Sequence, residues 1–251
     1  MEEVTKSEFK LKNSIQQKLK KAIRDYGMIE EGDHILIGLS GGKDSLALVE
    51  LIGEQMQVFS PRFKATAVHV SVENIPYRSD LVFLEAFAGE YNIPFVHRIT
   101  QYDESTDTRK SPCFLCSWNR RKVLFDTAKE LGCNKIALGH HLDDIIETLL
   151  LNMFYQGNIG TIPPLLKMTK FDMTLIRPMA LIPEQLLQDW AVLKGYPKQV
   201  KNCPYEKESS RTKIKKLVKQ LEELHPSIRK NIWTAMENVQ NDYLPHKIER
   251  N

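Results

Sequence analysis

A glycine-rich segment is the first group of residues whose types and spacing could do chemistry. Its members are, in order, Ser40, Gly41, Gly42, Lys43, Asp44 and Ser45. The two glycines can adopt backbone angles that turn several N–H groups toward one point. A helix that starts here adds its own unbonded N–H groups and partial positive charge. Two hydroxyls, one ammonium group and a carboxylate suited to Mg²⁺ complete the set, so the segment predicts a phosphate-binding loop.

This loop differs from the P-loop of kinases. That motif requires a glycine five positions before the second glycine and a serine or threonine directly after the lysine. Ile37 and Asp44 occupy those two positions here. The loop therefore predicts phosphate binding of another type.

A second candidate segment begins at Gly139 with the sequence Gly-His-His-Leu-Asp-Asp-Ile-Ile-Glu-Thr. Acidic residues in a first helical turn are favoured by the helix dipole alone, which explains part of this pattern. Two adjacent histidines with Asp143 and Asp144 are harder to explain in that way. These carboxylates could bind Mg²⁺ or transfer a proton, while we interpret His141 as structural.

The four cysteines are Cys113, Cys116, Cys133 and Cys203. The first two form a Cys-x-x-Cys pair directly before a predicted helix that carries Trp118, Arg120 and Arg121. Spacing alone leaves an iron–sulfur cluster, a zinc site and a redox pair open. We interpret Cys133 as a small buried residue.

Alternating strands and helices must position these segments. Apolar runs predict strands at 34–39, 65–72, 94–97, 135–139 and 175–178, and helical periodicity predicts helices at 8–26, 44–55, 81–91, 117–131, 143–154 and 183–194. This alternation indicates an α/β fold with a doubly wound, Rossmann-like parallel sheet. Ligands of such sheets bind beyond the carboxyl ends of the strands, where the two segments lie.

Composition limits the remaining possibilities. The chain has 251 residues and a net charge of +3, which is too mild to prove a nucleic-acid partner. Each of the basic clusters at 18–21, 120–122 and 213–216 is typical of a solvated helix face. The three together lead to the hypothesis of an RNA or phosphate surface. No apolar run is long enough for a membrane helix, and the first residues lack the pattern of a secretion signal. We therefore expect a cytoplasmic protein with no membrane partner.

The loop at Ser40 resembles that of the PP-loop ATP pyrophosphatases, and the whole chain resembles the tRNA 2-thiocytidine synthetase family. The similarity runs from about Ile35 to Gln240. It includes the Cys-x-x-Cys pair, the run Gly-His-His-x-Asp-Asp-Ile-x-Glu-Thr-Leu-Leu-Leu-Asn-Met-Phe, a late cysteine, Ile-Arg-Pro and Ala-Met-Glu-Asn-Val. Bacterial members of this family also carry a second cysteine near the late one, which this chain lacks, so the resemblance places the chain nearer a side branch of the family.

The resemblance implies three sets of site residues. Lys43 and Asp143 are expected to be catalytic, and Asp44 to hold Mg²⁺. The [4Fe–4S] cluster is expected on Cys113, Cys116 and Cys203. The nucleotide site is expected to comprise Ser40, Gly41, Gly42, Lys43, Asp44, Ser45, His69, Gly139 and His140.

The resemblance also implies a domain division and a reaction. Residues 1–30 form an N-terminal helical segment, 31–200 the PP-loop ATP pyrophosphatase domain, and 201–251 a C-terminal helical extension with the third cysteine. ATP is expected to adenylate the C2 oxygen of a tRNA cytidine, with release of pyrophosphate. Sulfur from a cysteine desulfurase or sulfide then attacks C2, and AMP leaves, giving 2-thiocytidine.

Several alternatives stay open at this point. The enzyme could thiolate another tRNA base, or it could be an RNA-modifying PP-loop ligase with a structural zinc ion. A nucleotide-sensing or RNA-binding module without turnover is a third hypothesis. The number of chains in the assembly is open, with a homodimer as one option.

Overall fold

Short runs rich in valine, isoleucine and leucine form a six-stranded sheet in the computed structural model. The structure describes residues 2–58, 60–74, 79–101, 112–169, 171–198 and 210–245. The strands are β1 His34–Gly38, β2 Lys64–Val72, β3 Phe95–Thr100, β4 Lys135–Ala137, β5 Leu165–Met168 and β6 Met173–Ile176. Their spatial order is β3-β2-β1-β4-β6-β5. All neighbouring pairs are parallel except β5 and β6.

The helices are α1 Glu2–Asp25, α2 Lys43–Val58, α3 Leu81–Glu90, α4 Pro112–Glu130, α5 Leu142–Gln156, α6 Glu184–Leu193, α7 Ser210–Leu224 and α8 Ile228–Glu237, with a short 3₁₀ helix at Asn241–Tyr243. Helix α1 precedes the first strand, helices α2 to α5 lie between strands, and helices α6 to α8 come after the last strand. The expected α/β class with helices on both faces of a mostly parallel sheet is confirmed.

The two faces of the sheet pack against different hydrophobic clusters. Ile35 and Ile37 of β1 belong to the larger cluster, which contains residues of α1, α2, α3 and α6. Leu36 points to the other face and packs with residues of α4, including Ala128. This alternation follows from the two-residue period of a strand. Burial on both faces explains why β1 is apolar throughout.

The sheet differs from the sequence prediction at one edge. Strand β5 was not predicted, because four residues paired only along one side give too short a pattern. The strand predicted at 175–178 is β6, and it ends at Ile176. Its pairing with β5 continues for one more residue, because the N–H of Arg177 donates to the Pro164 carbonyl at 2.8 Å, and Pro178 then has no N–H to continue the ladder.

The chain divides into two compact units. The first comprises Met1–Ile145 and Pro163–Lys207 and contains the whole sheet; the second comprises Ile146–Ile162 and Glu208–Asn251. Within the second unit, Arg211 Nε lies 3.5 Å from Glu147 Oε2. Among the described residues, no helix is long and apolar enough to cross a membrane.

Candidate functional site

The two candidate segments meet where the strand order reverses. Strand β1 lies between β2 and β4, and the chain passes to opposite sides of the sheet from there. Ser40–Ser45, hereafter the nucleotide loop, follows β1, and the Gly139 segment follows β4. A Cβ on Gly139 would lie 3.2 Å from the Asp44 carbonyl oxygen and 3.3 Å from the Ser45 nitrogen. The two segments are therefore in contact at the edge where doubly wound sheets bind ligands.

The Ser45 hydroxyl organises the nucleotide loop. It accepts hydrogen bonds from the N–H groups of Ser40 and Gly41, at 3.1 and 3.2 Å, and donates to the Gly42 carbonyl at 2.9 Å. Gly41 has a φ of 87°, which favours glycine at this turn. The Ser45 hydroxyl thus holds the turn that leads into helix α2, and the N–H groups at the start of such a helix are suited to bind phosphate.

The Lys43 ammonium group lies between two carboxylates. Its Nζ is 3.0 Å from both carboxylate oxygens of Asp44 and 3.4 Å from Glu184 Oε1. Glu184 is the first residue of α6 and was not predicted from the sequence. Its position after Pro183, in a first helical turn, was the only signal available. These contacts fix the charge of Lys43 at the mouth of the loop.

Asp143 is buried and contacts the start of helix α6. Its Oδ2 accepts a hydrogen bond of 2.7 Å from the backbone N–H of Glu184. The two residues expected to be catalytic, Lys43 and Asp143, are thus brought together through Glu184. Asp143 caps the start of α6 in this arrangement, and its catalytic role stays a prediction.

His141 has a structural role at the start of α5. Its N–H donates to Asp144 Oδ2 at 3.1 Å, and the Asp144 N–H donates to His141 Nδ1 at 3.4 Å. These reciprocal bonds form a capping box in which histidine replaces the usual serine or threonine. His140, between Gly139 and His141, is half-buried.

His69 supports the chain that leads into the nucleotide loop. It is 2% exposed, and its Nδ1–H donates to the Leu39 carbonyl at 2.7 Å. Burial is the main reason that the pKa of His69 is lowered from 6.5, and the hydrogen bond to Leu39 opposes this shift. The imidazole is therefore neutral, and its hydrogen bond holds the backbone of Leu39, one residue before Ser40.

A cleft of about 820 Å³ opens beside the nucleotide loop. One wall is the loop, with Ser40, Gly42, Lys43 and Asp44. The other wall is the end of α6 and the segment after it, with Gln188, Ala191, Val192, Gly195, Tyr196, Pro197 and Lys198. The cleft has the volume of a nucleotide-sized ligand site.

The cysteine pair lies at the start of α4. Cys113 and Cys116 are in its first turn, where the helix dipole favours thiolates. Cys116 is half-buried and packs with Val72 and Leu115. The Cys-x-x-Cys spacing on this helix backbone is typical of a metal or cluster site. The backbone of Cys113 is described, but its side chain and all of Cys203 lie outside the described residues.

Cys133 is separate from this pair. It is 5% exposed, and burial raises its pKa to about 11. The expectation of a small buried residue is confirmed. A neutral buried thiol is a poor metal ligand, which leaves the other three cysteines as candidates.

Comparison with known proteins gives the family. The PP-loop domain family matches residues 11–221. A tRNA-cytidine(32) 2-sulfurtransferase of Syntrophotalea carbinolica is 40% identical over 232 residues, which cover 89% of this chain and 88% of that protein. The chain belongs to the tRNA-cytidine(32) 2-sulfurtransferase family. The resemblance found in the sequence is confirmed.

Two further proteins are similar to this chain over most of its length. The tRNA-cytidine(32) 2-sulfurtransferase of Alkalilimnicola ehrlichii is 36% identical, with 90% of this chain and 73% of that protein covered. The U34-tRNA thiolase NcsA from Methanococcus maripaludis, solved with its [4Fe-4S] cluster, superposes with a TM-score of 0.74 and 25% identity. That alignment covers 95% of this chain and 81% of NcsA.

In this member of the 2-sulfurtransferase family, the buried carboxylate of Glu50 supports the wall of the cleft. The sequence did not predict this role. Glu50 of α2 is 1% exposed and accepts hydrogen bonds from Trp190 Nε1, at 3.1 Å, and from the Tyr196 hydroxyl. Lys194 Nζ lies 3.3 Å from its other oxygen. Burial and the charge of Glu50 raise the pKa of Tyr196, so its phenol stays protonated. Glu50 thereby ties the segment after α6 to the helix of the nucleotide loop.

Proposed function

We propose that this chain catalyses ATP- and iron–sulfur-dependent thiolation of tRNA, converting a cytidine to 2-thiocytidine while ATP becomes AMP and pyrophosphate. The observation that carries the proposal is the contact of Gly139 with Asp44 and Ser45 at the reversal of strand order. It joins the two family segments into one nucleotide site beside a cleft. The similarity of most of the chain to tRNA-cytidine(32) 2-sulfurtransferases supports the choice of base and of sulfur as the incoming atom.

The first half of the reaction takes place at the nucleotide loop. The C2 oxygen of the cytidine attacks the α phosphorus of ATP, a new O–P bond forms, and the bond to pyrophosphate breaks. Lys43 and the N–H groups at the start of α2 stabilise the negative charge on the phosphates. Ser40, Gly41, Gly42 and Ser45 form the cradle around them.

Neighbouring residues hold this cradle and its metal ion. Asp44, whose carboxylate already faces Lys43, is our candidate ligand for Mg²⁺ on the phosphates. Gly139 and His140, which follow the neighbouring strand β4, line the nucleotide site. His69 supports it through the hydrogen bond to the Leu39 carbonyl. Asp143 fixes the start of α6 and is our candidate for Mg²⁺ binding or proton transfer.

The second half needs sulfur at the C2 carbon. Sulfide-level sulfur (HS⁻) attacks C2 and loses its proton, the C–O bond breaks, and AMP leaves with the former C2 oxygen. Where the donor is the persulfide of a desulfurase, a thiol reductant first supplies the two electrons that release its outer sulfur as sulfide. Cys113, Cys116 and Cys203 are the thiolates that would hold a [4Fe–4S] cluster. When bound, the cluster supplies the sulfur-transfer chemistry of this half. We propose a cysteine desulfurase or sulfide as the sulfur source, the cytoplasm as the location, and a homodimer as the assembly to test.

Cysteine variants of the reconstituted protein test this division of labour. Anaerobic purification of wild type should give a brown protein that contains iron and acid-labile sulfide. Cys113→Ser, Cys116→Ser and Cys203→Ser should each lose the iron and abolish 2-thiocytidine in tRNA nucleosides analysed by mass spectrometry. Each should retain tRNA-dependent pyrophosphate release, because the nucleotide loop is intact. Cys133→Ser, the matched buried control, should keep both iron and product.

Each alternative has its own result in this experiment. A colourless wild-type protein with stoichiometric zinc would refute the cluster and favour an RNA-modifying ligase. A thiouridine in place of 2-thiocytidine would move the substrate to another base. Absence of pyrophosphate release with bulk tRNA would indicate a binding module without turnover.

A further inference from the structure

The solvent face of α4 carries aromatic residues interleaved with cations. Phe114 is 43% exposed and Trp118 is 52% exposed. Arg121 and Lys122 are also exposed. Trp118 follows Phe114 by four residues, and Arg121 and Lys122 follow Trp118 by three and four residues, which places all of them on one side of the helix. We call this set the α4 stripe.

The residues of the α4 stripe lie outside the hydrophobic clusters that join α4 to the sheet. The opposite side of α4 already provides the apolar contacts to the sheet, through Leu115, Val123 and Ala128. Large aromatic side chains are costly to leave in water, and an exposed cluster of them commonly marks an interaction surface. The exposed rings and cations of the stripe therefore offer a surface to a partner.

We propose that Phe114 and Trp118 form a stacking platform for unpaired bases of an RNA loop, and that Arg121 and Lys122 bind the adjacent phosphates. This inference rests on the proposed tRNA substrate and extends it to a defined surface. Unpaired nucleotides are recognised by aromatic rings on which bases stack, together with cations that follow the backbone. The α4 stripe supplies both on one helix face.

Charge selects RNA over a second copy of the chain. Two copies that docked through this stripe would bring Arg121 and Lys122 of each close to those of the other, and like charges oppose such contacts. Lysine is also depleted from protein–protein interfaces. Phosphates, in contrast, complement both cations.

Arg120 adds a second observation on the neighbouring side of the helix. Its Nε atom is buried and has no hydrogen-bond partner among the residues that the structure describes. Arg120 lies one turn after Cys116, so the two share a side of α4. A buried donor left without a partner is costly and indicates a ligand acceptor. An RNA on the stripe would place its nucleotides beside both Arg120 and the cysteine pair.

Binding of two RNAs tests the platform. The full chain with its cluster reconstituted is titrated with an RNA hairpin that carries an unpaired anticodon loop and with a fully paired duplex of equal length. Trp118→Ala should weaken binding of the hairpin about tenfold and leave the duplex unchanged, because only unpaired bases stack. Trp118→Phe should recover most of the loss. Phe9→Ala, which removes a 66% exposed aromatic from α1, should bind both RNAs as wild type does.

The salt dependence of binding separates stacking from charge. Arg121→Ala should reduce the slope of log affinity against log salt by about one, since one phosphate contact is lost. Trp118→Ala should lower the affinity but leave the slope unchanged.

Three outcomes would overturn the platform. The first is an unchanged hairpin affinity in Trp118→Ala, and the second is an equal loss of affinity for hairpin and duplex in that variant. The third is a difference in particle size between RNA-free Trp118→Ala and RNA-free wild type in light scattering. The last would identify a second copy as the occupant. The proposed function fails separately. A wild type that binds the hairpin through Trp118 but forms no thionucleoside keeps the platform and loses the thiolase assignment.

Discussion

The nucleotide loop and the start of α4 belong to the same compact unit and are built in opposite ways. Around the loop, Ser45, His69 and Asp143 are nearly inaccessible to solvent, and each makes hydrogen bonds to the backbone of another segment or of the loop itself. At the start of α4, Cys116 is half-buried and Trp118 is half-exposed. One region is enclosed by the protein, and the other is left open to a partner.

The difference matches what the two halves of the reaction require. Charge stabilisation at a phosphate depends on donors fixed in advance, because reorganisation during the reaction would cost energy. Sulfur transfer to a tRNA base requires instead that a large polymer reach the site. Substitutions near the loop should therefore alter folding or catalysis within the protein, while those on α4 should alter cofactor and RNA binding.

The largest effect of this kind is expected at Glu50. Glu50→Ala should lower the free energy of unfolding by about 3–5 kcal/mol, because it leaves the buried donors of Trp190 and Tyr196 unsatisfied and opens a cavity. Glu54→Ala, one turn later on α2, removes a partly exposed pair with Lys12 and a hydrogen bond from Gln16. It should cost about 0–1 kcal/mol. Urea denaturation of both variants gives the comparison, and equal losses would show that the Glu50 network does not anchor the cleft wall.

A smaller effect, on catalysis alone, is expected at Gly139. The methyl group of Gly139→Ala would press on the backbone of Asp44 and Ser45, so the two segments must separate by a few tenths of an ångström. We expect tRNA-dependent pyrophosphate release to fall up to about 100-fold, as displaced catalytic groups commonly cause.

Gly89→Ala is the matched control, since an added Cβ there meets nothing within 4 Å. It should keep full activity and gain up to about 1 kcal/mol of stability from better helix propensity. Full activity in Gly139→Ala would mean that the two segments need not touch during catalysis.

The sequence allowed prediction of those parts of the site that local patterns encode. Strand–loop–helix order located the loop at Ser40 and the junction at Gly139, and with them the parallel sheet. Glu184 and Glu50 could not be found in this way, because their partners lie 141 and 140 residues away in the chain. Trp118 was noted beside the cysteine pair, but which side of α4 faces solvent depends on packing against the sheet.

The smallest expected effect is a pH dependence of stability that comes from His69. Its pKa is lowered in the folded protein, chiefly by burial, with the charge of Arg120 adding to the effect. The folded state thus favours the neutral ring. As pH falls below 6.5, the unfolded chain takes up a proton before the folded one, so stability decreases by at most about 1.4 kcal/mol per pH unit. Above 6.5 both states are neutral, and this contribution is constant.

His69→Gln can keep a donor for the Leu39 carbonyl but cannot titrate. Its unfolding free energy, measured at several pH values on either side of 6.5, should fall less steeply on acidification than that of wild type. His225→Gln, on an exposed position of the second unit, should follow the wild-type curve. If His69→Gln and wild type lose stability in parallel, His69 is already charged or accessible in the folded state. The surroundings of the nucleotide loop would then be open to solvent, as the start of α4 is, and the difference between the two regions would be smaller.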